Sequence, residues 1–171
     1  MDFQQVQRFP EITNERLELW IWYADKIPPH IGCSASGQYF SLKSNGKDVR
    51  IPVEKVASLV RNKKIPFLLV SVNISFDPDD IYAAYSNYTG ATSSGPTCLT
   101  PILELLETPS HVTQLNGLLN YLNETDGIKH IFGYNLPLGY QGIPSYGENE
   151  IRSRLSELEN VKRKHPLPSI R

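Results

Sequence analysis

Residues 65–74, Ile-Pro-Phe-Leu-Leu-Val-Ser-Val-Asn-Ile, form an almost continuous apolar run. The run lacks the alternation of a strand that has one face in water, which is typical of a strand near the centre of a covered sheet. Residues 17–23 are similarly rich in large apolar and aromatic side chains and predict a second buried strand. We therefore expect a sheet whose central strands are packed against helices.

Turn signals and helix-start signals divide the rest of the chain. Ser36-Gly37 and Asn45-Gly46 separate short strands in an antiparallel meander. Pro52 opens a helix with an apolar stripe, and Asp77 with Pro78 forms a cap and first helical residue. The fold class predicted is α+β, an antiparallel sheet packed against helices. The predicted strands are 17–23, 30–34, 38–43, 48–51, 65–74 and 129–134. The later helices are predicted at 102–106, from a cap at Ser110 to about Asn123, and at 148–164.

Length and charge favour one ordinary globular domain. The chain has 171 residues, and 17 basic against 18 acidic side chains leave a formal net charge of −1. We expect a single domain, 1–171, with a loose lead-in at 1–15 and a surface helix and tail at 148–171. The balanced charge argues against nucleic acid as a partner. No apolar run is long enough for a membrane span and the first residues are polar, so we expect a cytoplasmic protein with free thiols.

Cys98 lies where a loop of small residues meets an apolar segment, the place where a cysteine nucleophile is commonly mounted. A helix that starts at Pro96 or Thr97 would direct backbone N–H groups at the sulfur and lower its pKa. Thr100-Pro101 is a better cap and first residue, and would leave Cys98 just before the helix. The alternative is a buried cysteine that packs as a small apolar side chain.

His30 is the candidate base, because two prolines hold the chain extended just before it. An imidazole there can take the proton of a thiol, and Ser41 or Asp48 would orient the ring. The alternative for His30 is an edge-strand histidine without a catalytic role. The histidine spacing predicts no metal site, and the glycines form no phosphate loop, so we expect no cofactor.

Three tyrosines are candidates for substrate contact: Tyr88, Tyr140 and Tyr146. Tyr88 ends a helix upstream of Cys98. Tyr140 and Tyr146 belong to the irregular segment 135–146, which is rich in glycine, proline and tyrosine and is typical of a loop that covers a site.

The sequence resembles the circularly permuted papain-like hydrolases, the NlpC-related group that includes relatives of lecithin:retinol acyltransferase. The resemblance rests on His30-Ile31-Gly32, then Gly-Gln-Tyr-Phe-Ser-Leu, an apolar strand, and Thr97-Cys98 before Leu-Thr-Pro-Ile-Leu, over about residues 17–107. It implies a histidine strand first, a cysteine helix later, and thiol chemistry. Ser41 stands where the family places an acidic or polar partner, and Thr97-Cys98-Leu99 departs from its usual Cys-Ser-Glu or Asn-Cys.

Two functions follow from these observations. The first is a cysteine-dependent hydrolase or acyltransferase that acts on an amide or ester bond of a small or peptide-like substrate through Cys98 and His30. The alternative is a non-catalytic α+β binding or regulatory module with a degenerate site, in which the tyrosine-rich segment 134–146 contacts a protein partner.

Overall fold

The computed structural model describes residues 3–10, 12 and 15–164, except for the side chains of 162–164. Within these residues one mixed sheet contains seven strands. They are β1 (Gln4–Val6), β2 (Glu18–Trp22), β3 (His30–Ala35), β4 (Gln38–Lys43), β5 (Gly46–Pro52), β6 (Phe67–Val72) and β7 (Ile128–Tyr134). The described helices are α1 (Val53–Asn62), α2 (Pro78–Ser86), α3 (Thr100–Leu105), α4 (Leu115–Glu124) and α5 (Glu148–Lys164).

The order of strands across the sheet is β1-β7-β6-β2-β3-β4-β5. All neighbours are antiparallel except β1 and β7, which pair parallel. The α+β class and the antiparallel meander β3-β4-β5 are therefore confirmed. The short strand β1 lies within the predicted lead-in and makes the sheet mixed.

Helices cover both faces of the central strands. On one face, Val53, Val56, Ala57 and Val60 of α1 pack with Trp20 and other aromatic side chains. On the opposite face, a larger core joins alternate strand residues to α2, α3 and α4, and Leu155 of α5 belongs to it. The burial of every residue of β2 and β6 explains why their sequences do not alternate.

The helix-start signals differ in how well they locate the helices. Asp77 caps α2 as expected, since its side chain accepts a hydrogen bond from the N–H of Asp79 and Pro78 opens the helix. The predicted cap at Ser110 is wrong: Ser110 lies in a turn, and α4 begins at Leu115 after Gln114 without a side-chain cap. Among the described residues, no helix combines the length and the apolar character needed to cross a lipid bilayer.

Candidate active site

Cys98 and His30 line the same open cavity, which has a volume of about 1020 Å³. One side of the cavity is formed by the ends of β2, β3 and β4 and by the proline-rich connection before His30. The opposite side is formed by α5, which contributes Ile151, Leu155 and Leu158. The fold thus brings the two predicted catalytic stretches to one solvent-accessible space.

The half-buried thiol of Cys98 is surrounded by main-chain donors. Its sulfur accepts hydrogen bonds from the backbone N–H groups of Ile31 and Leu99, and the N–H of Cys98 itself lies close to it. Burial has the larger effect and raises the pKa of Cys98, while these hydrogen bonds act in the opposite direction because they favour the thiolate. The resting group is therefore a thiol at neutral pH.

The turn that holds Cys98 is shaped by two threonines. The Thr97 N–H donates to Oγ1 of Thr100 at 2.9 Å, and the Leu99 N–H, which also faces the sulfur, donates to Oγ1 of Thr97 at 3.3 Å. Helix α3 begins at Thr100, with Pro101 in its first turn. Cys98 therefore precedes the helix, as the Thr100-Pro101 pair predicts, and a helix start at Pro96 or Thr97 is wrong. The capping position is Leu99 and not Thr100, and no side chain caps the helix.

Helix α5 holds the loop that leads to Cys98. The carboxylate of Glu159 accepts hydrogen bonds from the N–H and the hydroxyl of Ser93, at 2.7 and 2.9 Å. The guanidinium of Arg152 donates to the carbonyl oxygens of Gly95 and Thr92, at 2.7 and 3.3 Å. The predicted surface helix thus walls the large cavity and fixes the loop beside it.

The His30 side chain lies on the α1 face of the sheet. His30 pairs with Trp22 across the ladder, and directly paired residues share a face. Burial lowers the pKa of His30 to about 4; the charge of Asp48 opposes this effect and the charge of Lys43 adds to it. The imidazole is consequently neutral at neutral pH.

Ser41 and Asp48 lie beside His30 in a polar network. The Ser41 hydroxyl donates to Oδ2 of Asp48 at 3.2 Å, and the Lys43 ammonium donates to Oδ1 at 2.7 Å. The Tyr39 hydroxyl interacts with Ser41 and accepts a hydrogen bond of 2.9 Å from the indole N–H of Trp22. Asp48 therefore acts on His30 through its charge, and Ser41 holds Asp48.

Packing explains why the third residue of the His-x-Gly sequence, Gly32, is a glycine. A β-carbon at Gly32 would collide with the Tyr39 hydroxyl and would lie 2.7 Å from the carbonyl oxygen of Phe40. The glycine therefore lets the Tyr39 ring cross β3 on the face that His30 occupies. This placement brings Tyr39 into the hydrogen-bond network of Ser41 and Asp48.

Cys98 and His30 border the large cavity from different sides of the sheet. The thiol packs against the core that α2 and α3 cover, whereas the imidazole lies with Trp22 on the α1 face. Among the hydrogen bonds of the described residues, none joins the Cys98 sulfur to the His30 ring. The Cys98 sulfur instead contacts the N–H of Ile31, the residue that follows His30 in the chain.

The three tyrosines predicted to contact substrate do not line the large cavity. They also do not line a smaller cavity on the α1 side of His30. Tyr88 donates to the Glu104 carboxylate. Tyr140 donates to the carbonyl oxygen of Ala24 at 3.2 Å. The Tyr146 hydroxyl bonds the main chain of Leu115, near enough to Cys98 for the two groups to interact electrostatically. Burial, the largest cause in each case, raises the pKa of all three, to about 12 for Tyr88 and Tyr140.

A second cavity of about 440 Å³ opens on the α1 side of His30. It shares four residues with the large cavity, and is also lined by Ser41 and Asp48, by Lys55 and Leu59 of α1, and by Lys63 directly after α1. The shared residues are Trp22, Tyr23, His30 and Lys43. The sequence pattern did not single out Lys55 and Lys63, although their positions four residues before and after Leu59 favour one side of the helix.

Comparison with known proteins adds no further assignment. No protein-family model, no curated protein and no solved structure matches the chain. Within the described residues no group of three or more histidine, cysteine, aspartate or glutamate side chains is placed to hold a metal ion. The interpretation of the site therefore depends on its own geometry.

Proposed function

We propose that the protein is a cysteine-dependent hydrolase or acyltransferase that acts on an amide or ester bond. The observation that carries the proposal is the hydrogen bond between the Cys98 sulfur and the N–H of Ile31, the residue that follows His30. The side chains of Cys98 and His30 line the same cavity. A nucleophile, a candidate base and main-chain donors therefore border one cavity that a substrate can enter.

The chemistry starts from two neutral groups. As the Cys98 sulfur attacks the carbonyl carbon, His30 takes the thiol proton, and the tetrahedral oxyanion accepts hydrogen bonds from nearby backbone N–H groups. The intermediate then expels an amine or alcohol, which receives that proton from His30, and leaves a thioester on Cys98. Attack by water or by an acceptor hydroxyl or amine releases the acyl group and restores the thiol.

The proposal requires His30 to turn toward the large cavity when substrate binds. His30 is the first residue of β3 and already borders that cavity, so the required movement takes place at the end of the strand and not through the sheet. Catalytic hydrogen bonds commonly shorten only in the substrate complex. Asp48 favours the imidazolium that forms, since its negative charge raises the pKa of His30 against the effect of burial.

The order of elements supports the same chemistry. A histidine strand, β3, is followed by β4, β5 and a later cysteine turn before α3, which is the order implied by the resemblance to the circularly permuted papain-like group. We propose that arrangement for residues 17–107. The departure at Ser41 is accommodated by its hydrogen bond to Asp48, through which a carboxylate reaches the same place.

The second candidate is a non-catalytic binding module with a degenerate site. It is favoured by the raised pKa of Cys98 and the lowered pKa of His30, which leave neither group activated at rest. The structure of the tyrosine-rich segment 134–146 supports this alternative less than its composition does, because its tyrosines are not fully exposed. Tyr134, Tyr140 and Tyr146 are all partly buried, and the exposed apolar side chain of the segment is Leu138.

Trapping of an acyl intermediate separates the two candidates. The protein is incubated with p-nitrophenyl acetate, and the acetylated residue is located by peptide mass spectrometry. The hydrolase predicts an acetyl thioester at Cys98 that is absent in Cys98→Ala and forms far more slowly in His30→Ala, while His130→Ala, at an exposed histidine of β7, behaves as wild type. Acetylation at Cys98 that is unaffected by His30→Ala would favour the binding module.

A further inference from the structure

The small cavity beside His30 has an unbalanced set of charges. Its lining contains three lysines, Lys43, Lys55 and Lys63, and a single carboxylate, Asp48. Asp48 is already paired with Lys43 at 2.7 Å. Among the ion pairs of the described residues, none involves Lys55 or Lys63. The cavity therefore presents two uncompensated positive charges.

The two free lysines are Lys55 of α1 and Lys63, which directly follows the helix, and the apolar Leu59 lies between them. Lys55, Leu59 and Lys63 are four residues apart, and each lines the cavity. Leu59 is 42% exposed and Tyr23, across the opening, is 46% exposed. A ligand there would meet ammonium groups and apolar surface together, which suits an anion joined to a short apolar group.

The small cavity is continuous in its lining with the large one. Trp22, Tyr23, His30 and Lys43 border both. A molecule with its anionic group at Lys55 and Lys63 would extend past His30 toward the space that Cys98 lines. The large cavity carries charges of both signs, including the paired Arg154 and Glu157, so the excess of positive charge is greater on the α1 side.

We propose that the small cavity is a subsite for the anionic group, a carboxylate or a phosphate, of the molecule on which the site acts. That the bound molecule is a substrate rests on the proposed function, but the binding of its anionic group does not require the thiol. Lys55 and Lys63 bind the anion, and Leu59 with Tyr23 contacts the neighbouring apolar part. Lys43 is held by Asp48 and contributes less.

The test uses three probes of the same chain length: hexanoate, hexyl phosphate and the neutral hexanamide. Dissociation constants are measured from backbone amide shifts of the full chain carrying Cys98→Ala, which cannot form a thioester. We expect either or both anions to bind at least about fivefold more tightly than hexanamide, with shifts at residues that line the small cavity. The tighter anion identifies the carboxylate or the phosphate as the preferred group.

Variants of Lys55 and Lys63 test whether the lysines cause the preference. Lys55→Gln combined with Lys63→Gln should remove the advantage of the anions over hexanamide, whereas Lys129→Gln, at an exposed lysine of β7 outside both cavities, should leave it unchanged. If the double variant does not fold, each single variant must show part of the loss.

Three results would overturn the subsite: equal binding of hexanamide and the anions, an anion preference that survives the double variant, or no saturable shifts at the small cavity. None of them depends on Cys98. The p-nitrophenyl acetate experiment, in turn, uses an ester without an anionic group, so a failure of the proposed function and a failure of the subsite are separately visible.

Discussion

The sulfur of Cys98 accepts a hydrogen bond from the main-chain N–H of Ile31. This contact links the cysteine turn before α3 to the first residues of β3. The residue that contacts the candidate nucleophile is therefore the chain neighbour of the candidate base, His30. The same N–H favours the thiolate, although burial outweighs it in the resting protein.

The first prediction concerns the reactivity of Cys98 with iodoacetamide. Because burial raises the pKa of this thiol, the alkylation rate should be low at neutral pH and should still be rising above pH 9, the ordinary value. The rate is followed by mass spectrometry of the peptide that contains Cys98, which separates it from the fully buried Cys33. A rate that reaches its plateau below pH 8 would contradict the described environment.

The second prediction concerns stability in weak acid. The pKa of His30 is about 4 in the folded protein against 6.5 for the ordinary group, so the unfolded chain binds the proton first as the pH falls. The free energy of unfolding should decrease between pH 6.5 and 4, with about 1–3 kcal/mol of the loss due to His30. Urea unfolding at several pH values should show a smaller loss in His30→Gln, while His130→Gln should keep the slope of wild type.

The third prediction concerns Gly32. Gly32→Ala places a β-carbon against the Tyr39 hydroxyl and the Phe40 carbonyl oxygen, and should cost about 1–3 kcal/mol of unfolding free energy by overpacking. Gly117→Ala is the matched control, because Gly117 lies inside α4 and its β-carbon would lie at the ordinary distance of 3.7 Å from a side-chain atom of Val112. Alanine at this position should be neutral or stabilising. Equal effects of the two substitutions, measured by urea unfolding, would refute the packing explanation.

The fourth prediction concerns the contacts between α5 and the loop before Cys98. Arg152→Ala and Glu159→Gln each weaken hydrogen bonds to residues 92–95, so backbone amides of that loop should exchange faster with deuterium. Arg154→Ala is the control, since its described ion pair is with Glu157 on the same helix. Loop exchange unchanged by both substitutions would show that α5 does not hold the loop.

Local signals predicted much of the fold because they are carried by the residues themselves. The apolar runs located β2 and β6, Asn45-Gly46 located the β4–β5 turn, and Asp77-Pro78 located the start of α2. The position of β1 was not predictable, because Gln4–Val6 is polar and joins the sheet only through its pairing with β7. Such a pairing depends on distant residues and leaves no periodic signal.

The candidate site was predicted in part for a similar reason. Residue type and chain order singled out Cys98, His30, Ser41 and Asp48, and the structure describes the last three as one electrostatic group. Sequence could not show that Cys98 and His30 approach the cavity from different faces, since this depends on strand register and on the path of the loop. Lys55 and Lys63 were overlooked because lysines at these positions are typical of the solvated face of a helix.

The central claim is that Cys98 attacks carbonyl carbon with His30 as its base. The most direct measurement is the rate of thioester formation at Cys98 with p-nitrophenyl acetate, at neutral pH, in wild type and in His30→Ala. A general base predicts a decrease of about 10²-fold or more in the variant, with Cys98 still the residue acetylated. Equal rates in the two proteins would contradict the claim.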